Sequence, residues 1–267
     1  MDSSSSRRRV AVFGAGGRMG STTCRAVAGD PDLDLVAAID PLSAGLDLRQ
    51  VTGVDLPLEV LPGPEALDGM DVDVAVEFTR VDAGRPNLHW LAAHGVHAVV
   101  GTTGFTDADV DGFRKVFVDS NCVIAPNFAI GAILMVRFAE LAAPYFETAE
   151  IIELHHDQKV DAPSGTAMHT AERMAASSSQ WADDPTTSEM LPGARGGAAA
   201  AGIRVHSVRL RGLVAHQEVI LGTTGQSLSI RHDSYDRSSF MPGVLLAVKA
   251  VADRPGLTVG LDALLDI

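Results

Sequence analysis

The sequence predicts an α/β chain in two parts: a doubly wound parallel sheet in the first half, then a smaller α+β domain with a mixed sheet. Three observations carry this. At 267 residues the chain exceeds what one hydrophobic core comfortably fills, which leaves room for two compact domains. Up to residue 126, short near-continuous apolar runs alternate with helical patterns across short connections, as strands buried on both faces of a parallel sheet do. Beyond residue 127, several strand-like segments follow one another without intervening helices.

Residues 1–9, MDSSSSRRR, read as a disordered tail, and a first strand over 9–13 runs straight into Gly14-Ala15-Gly16-Gly17-Arg18-Met19-Gly20. A helix over 21–28 and a strand over 33–39, ending at Asp40, come next. Residues 72–78 form a third strand closed by Thr79. A helix over 87–94 leads to a strand over 96–100 that ends in Gly101-Thr102-Thr103-Gly104. A helix over 107–118 precedes a strand over 122–125, which ends at Pro126-Asn127. One long helix spans 130–143, and strands at 149–154, 203–209, 217–221 and 227–231 build the second sheet. A further helix covers 167–176. The stretch 177–202, rich in Ser, Gly, Ala and Pro, reads as a mobile excursion. An apolar helix over 241–252 returns to the first domain, giving domains of 10–126 and 127–235 with a C-terminal return over 236–267.

Composition narrows the function. With 46% hydrophobic and 21% charged residues the chain has material for a core. No run approaches the roughly 18 apolar residues of a membrane span, and the first residues lack the apolar segment of a secretory signal, so the expected address is the cytoplasm. Cys24 and Cys122 form no CxxC pair, which removes a disulfide framework and a cysteine-rich metal site. A net charge of −13 opposes nucleic-acid binding, which depends on neutralising phosphates. An anionic small molecule must then be met by local cations, and with only Lys115, Lys159 and Lys249 against 18 arginines, a lysine inside a motif stands out.

The glycine-rich turn lies between a strand and a helix, where free amides and the helix dipole face a pyrophosphate. Its spacing departs from GxGxxG, since Met19 holds the third glycine position and Gly20 follows one residue late. Asp40 ends the second strand where a carboxylate accepts from an adenosine ribose. Dinucleotide binding outweighs a bare turn with an ordinary surface Asp. The turns that follow the later strands, GTTG and Ala125-Pro126-Asn127-Phe128, offer small side chains and amides at the carboxyl ends of the sheet.

The densest chemistry is at residues 153–166, Glu-Leu-His-His-Asp-Gln-Lys-Val-Asp-Ala-Pro-Ser-Gly-Thr. His155, His156 and Lys159 supply proton donors and carboxylate partners, and Ser164-Gly165-Thr166 opens a helix whose amides form an anion site. Of the other histidines, His89, His94, His97, His169, His206 and His232 are isolated and read as structural. A zinc site lacks a HExxH or cysteine set.

These motifs together resemble the 4-hydroxy-tetrahydrodipicolinate reductase (dihydrodipicolinate reductase) family from Val10 to Leu265: GAGGRMG, EFT, GTTGF, APNF and the pattern E-x-H-H-x-x-K-x-D-x-P-S-G-T occur in order. The resemblance implies a dinucleotide domain, a substrate domain whose sheet builds a homotetramer, and a small dicarboxylate substrate. It implies cofactor contacts from Gly14, Ala15, Gly16, Gly17, Arg18, Met19, Asp40, Gly101, Thr102, Thr103, Ala125, Pro126, Asn127 and Phe128. His155 and Lys159 map to the proton-transferring positions, and His156, Gly165 and Thr166 to substrate-binding ones. The cofactor is NADH or NADPH. Pro41 replaces an arginine that some members place after the acidic residue, which favours NADH, while Arg18 offers compensation. Two other readings share the dinucleotide motif: a redox-sensing binding protein, which needs no HHxxK segment, and another nicotinamide enzyme such as homoserine or aspartate-semialdehyde dehydrogenase, the latter needing a catalytic cysteine.

Overall fold

A computed structural model describes residues 7–265. Residues 1–6 of the expected tail lie outside the described residues, while the first strand, expected from residue 9, already opens at residue 8. The chain forms two units: one built from the residues up to Ala129 together with those from Phe240 onward, the other from Ile130–Ser239. These divisions stand against the 126/127 and 235/236 boundaries read from the sequence.

The first unit contains β1 (Arg8–Phe13), α1 (Arg18–Gly29), β2 (Leu33–Ile39), α2 (Leu48–Thr52), β3 (Val74–Glu77), α3 (Val81–Ala93), β4 (His97–Val100), α4 (Asp107–Val116) and β5 (Cys122–Ile124). The strands are apolar on both faces because both are covered: Val10, Ala11, Val12, Val74, Val76 and Val99 are all fully buried. Strand β1 pairs in parallel with both β2 and β3, so the strand order reverses there and the turns after β1 and β3 adjoin. Open α/β sheets place ligands at such a switch point.

Helix α3 begins at Val81, well before the expected residue 87, and carries Pro86 inside it. Proline forfeits one amide donor near the helix start, and burial of Gly84, Leu88 and Leu91 on the sheet outweighs that loss. Helix α2 was not foreseen. Its five residues are held by local caps, with the Asp47 side chain accepting from the Arg49 amide and Gly53 closing the end at φ 81°.

The second unit contains α5 (Ile130–Ala142), β6 (Thr148–His155), α6 (Gly165–Ser177), β7 (Gly197–Ala198), β8 (Arg204–Arg209), β9 (Ala215–Thr223) and β10 (Gln226–Ser234). They form a mixed sheet in the order β10-β9-β6-β8-β7, in which β6 is parallel to β8 and antiparallel to β9. Helices α5 and α6 bury one face through Met135, Ala139, Ala171 and Met174 against Ile151, Val205, Val219 and Leu221. The other face presents Ile152, Leu154, Val208 and Ile220, each half-buried. The excursion expected to be mobile is tied to the sheet: Arg195 pairs with Glu150 at 2.6 Å, Arg204 with Asp184 at 2.6 Å, and the Ala182 amide donates to the Glu147 carbonyl.

The chain then returns to the first unit as α7 (Met241–Ala250) and β11 (Leu257–Val259), which pairs with β5 as an edge strand. Strand β11 has no periodicity long enough to read from sequence. Among the described residues, no helix is long and apolar enough to cross a membrane.

Candidate active site

In the first unit, the backbone turns sharply through Gly14 at φ 75°, where a Cβ would lie 2.5 Å from the Phe78 carbonyl. Gly20 is the tightest point, since a Cβ there would sit 1.9 Å from the Gly14 oxygen. The late glycine thus performs the close helix packing that the strict motif assigns one position earlier. Gly17 caps α1 without a side-chain acceptor, which leaves the first-turn amides of Arg18 and Met19 open to an anion. Asp40 accepts from the Gly16 amide at 2.9 Å and the Leu42 amide at 3.0 Å, so the distant carboxylate and the glycine turn meet directly. A bare amide end beside a fixed carboxylate is a donor and acceptor set that fits a dinucleotide.

The turns after β3, β4 and β5 are joined by two contacts. The Phe78 ring packs edge-on to Phe128 at 6.0 Å and lies so near Gly101 that a Cβ there would be 2.0 Å from it. Glu77, fully buried, accepts from the Thr79 amide and hydroxyl, from Asn87 at 2.9 Å and from Thr102 at 3.2 Å. Burial pushes its carboxyl above the usual range despite these bonds. Ala125 is buried, while Thr103 and Pro126 are exposed, and Asn127 accepts from the Ala129 amide at 2.9 Å. Glu77 was overlooked as an organiser of these turns; its signal was an acidic residue ending an otherwise apolar strand.

In the second unit, Glu153 is the hub. It points to the core face of β6 with its side chain 0% exposed, and strand register sets Arg209 of β8 beside His155. The guanidinium makes a bidentate pair with Glu153 at 2.8 and 2.9 Å, and donates to the Asp161 carbonyl at 2.6 Å. The same carboxylate meets His155 Nδ1 at 2.5 Å and accepts from the Ser164 amide at 3.2 Å. Burial alone would raise Glu153, but hydrogen bonds led by Arg209 prevail and hold it below the ordinary value. His155 is held below its ordinary value, first by burial and further by the Lys159 and Arg209 cations, against the opposing pull of Glu153.

Lys159 lies in the loop between β6 and α6, its ammonium on both oxygens of Asp161 at 2.8 Å. Ser164 caps α6 by accepting from the Ala167 amide, so Gly165 and Thr166 form its first turn. His156 and Gly165 are exposed, and Thr166 is half-buried. The structure thus joins His155 and the α6 terminus to one carboxylate and holds Lys159 on the neighbouring Asp161, whereas His156 is exposed and joins the cluster through its carbonyl, which accepts from the Lys159 amide at 3.2 Å. Arg209 escaped the sequence reading because it is 56 residues from Glu153 and only register unites them.

A thiol nucleophile loses support here. Burial pushes the Cys24 thiol up to about 12 and raises Cys122 as well, so neither is a nucleophile at neutral pH. Among the described residues, no group of three His, Cys, Asp or Glu side chains is arranged to hold a metal.

The family model described as dihydrodipicolinate reductase, N-terminus, matches residues 8–128, and its C-terminal counterpart matches 131–265. The chain belongs to the dihydrodipicolinate reductase family. Among its relatives, the 4-hydroxy-tetrahydrodipicolinate reductases of Cutibacterium acnes and Nocardia farcinica are 49% and 50% identical, each over 97% of this chain and 99% of the relative. A dipicolinate-bound dihydrodipicolinate reductase from Paenisporosarcina sp. TG-14 superposes with a TM-score of 0.85 at 40% identity, over 96% of this chain and 99% of that one. An amine dehydrogenase from Mycobacterium smegmatis, 14% identical with a TM-score of 0.61 over 96% of each chain, shares the fold alone. The family is one of nicotinamide-dependent oxidoreductases acting in diaminopimelate and lysine biosynthesis.

Proposed function

We propose that this reductase uses NADH in preference to NADPH to convert 4-hydroxy-tetrahydrodipicolinate, through loss of water and reduction of the unsaturated imine, to tetrahydrodipicolinate. When bound, the reduced nicotinamide supplies the hydride. Gly14 through Met19 hold the pyrophosphate, Asp40 the ribose, and Gly101, Thr102, Thr103 and the 125–128 turn the nicotinamide end. Pro41 brings no cation to a 2′-phosphate, and Asp40 repels one, which supports the NADH preference; Arg18 is the one nearby cation in the turn that opposes it.

The observation that carries the substrate half is the Glu153 cluster: His155 and an anion-receptive helix terminus are fixed to a single buried carboxylate, and Arg209 links that carboxylate to the loop in which Lys159 pairs with Asp161. Gly165 and Thr166 amides receive one carboxylate of the ring, with His156 supplementing them. Lys159 exchanges Asp161 for the substrate, and the electron density that hydride addition drives toward the ring is quenched by a proton from the His155 and Lys159 pair. Four copies associate through the second-unit sheet, whose outer face carries Ile152, Leu154, Val208 and Ile220. The cytoplasm is the proposed location.

The test is NAD(P)H oxidation with freshly generated 4-hydroxy-tetrahydrodipicolinate. Turnover with NADH exceeding that with NADPH is expected. No oxidation with either cofactor would refute the reading, and a reversed ratio would refute the NADH preference.

A further inference from the structure

The Glu153 cluster does more than gather proton carriers. An ionised carboxylate only accepts hydrogen bonds, so the imidazole nitrogen that meets it carries the hydrogen. The bidentate Arg209 pair compensates the negative charge of a fully buried side chain. We propose that Glu153, locked by Arg209, is a positioning residue that fixes His155 in its Nδ1–H form and leaves Nε2 as the single nitrogen through which the ring exchanges a proton. This deepens the proposed function and rests on its reading of His155 as a proton carrier.

The consequence is a division of labour. Neutral His155 then has a lone pair at Nε2 and gives up a proton from that atom only as imidazolium. The charged groups facing it are Glu153 of its own strand, Arg209 of β8 and Lys159 of the following loop. Burial and the two cations outweigh the pull of Glu153 and hold the ring below its ordinary value, so that it favours the neutral form at neutral pH and the Lys159 ammonium is the group already carrying a transferable proton. Arg209 also donates to the Asp161 carbonyl, so the pair that orients the imidazole steadies the loop bearing Lys159. The Ser164 amide on Glu153 ties the start of α6 to the same point.

Nitrogen NMR on the histidine-labelled full chain at pH 8, with His155→Ala used for assignment, reads the tautomer directly. Hydrogen on Nδ1 and a bare Nε2 are expected. In Glu153→Gln the amide group can donate to Nδ1, so a shift toward Nε2–H is expected, with kcat down about a hundredfold and the histidine limb of the pH profile displaced. Because that variant leaves Arg209 with a neutral partner and risks misfolding, the wild-type spectrum decides by itself. Nε2–H in the wild type together with a crippled His155→Ala would overturn the inference while sparing the proton-carrier reading. Full turnover in His155→Ala would instead remove that reading, whichever tautomer is seen.

Discussion

Asp40 holds a position where one side chain serves two partners. Because it accepts from Gly16, Asp40→Ala is expected to weaken both cofactors, yet NADH by roughly tenfold more, since the substitution also ends repulsion of a 2′-phosphate. Cofactor titration measures this, and an equal loss would place Asp40 away from the ribose. Lys159→Ala and His155→Ala should each lower turnover by about a hundredfold to ten-thousandfold with NADH affinity nearly intact. Lys159→Arg should not restore it, because guanidinium keeps the charge but is a very poor proton donor at neutral pH. Steady-state kinetics with separately measured cofactor binding checks this; full rescue by arginine would recast Lys159 as a carboxylate anchor. These residues could be singled out as candidates because motif spacing is local. Glu153 was read as the start of a motif and not as its centre, since nothing in a linear pattern shows that a carboxylate is fully buried or that a strand elsewhere supplies its cation.

At the scale of elements, the junction of α1 with the glycine turn tolerates no added atom. Gly20→Ala sets a Cβ against a backbone oxygen, and is expected to cost about 1–3 kcal/mol of stability and to weaken both cofactors by displacing the helix terminus. Thermal melts and cofactor titration together report it; a variant with native melting and affinity would show that the turn yields. Strand β3 offers a second case. The folded-state pKa of Glu77 is raised, so the native state binds more protons than the unfolded one once pH passes the unfolded value near 4.5. Stability from this group is full below that value and falls as pH rises through the folded one. Glu77→Gln should therefore gain in melting temperature relative to wild type as pH goes from 4 to 7, and a difference independent of pH would refute the assignment. Most elements were legible from apolar runs and their spacing. Helix α3 was read only from the residue after Pro86, although it runs through that proline, and α2 and β11 depend on caps and edge pairing that leave no periodic trace.

For the whole molecule, the expected state is a homotetramer, checked by sedimentation at micromolar concentration; a monomer would contradict it and leave the outer face of the second sheet, where Ile152, Leu154, Val208 and Ile220 stand among Glu150, His206 and Glu218, without a partner. The two-part design was legible because parallel and mixed sheets leave different patterns, alternating with helices in one and following each other in the other. What the pattern hides is how the last residues complete the first unit. Arg8 donates to the Val248 and Lys249 carbonyls at 2.7 Å, and Asn121 binds the Val251 and Ala252 carbonyls and the Gly256 amide. The ribosome delivers the chain in one direction, so β1 meets β2 and β3 early but its Arg8 side chain waits for carbonyls more than two hundred residues later, by which point the second unit already has all of its strands, the last ending at Ser234. The second unit is thus able to mature while the first still lacks α7 and its edge strand β11.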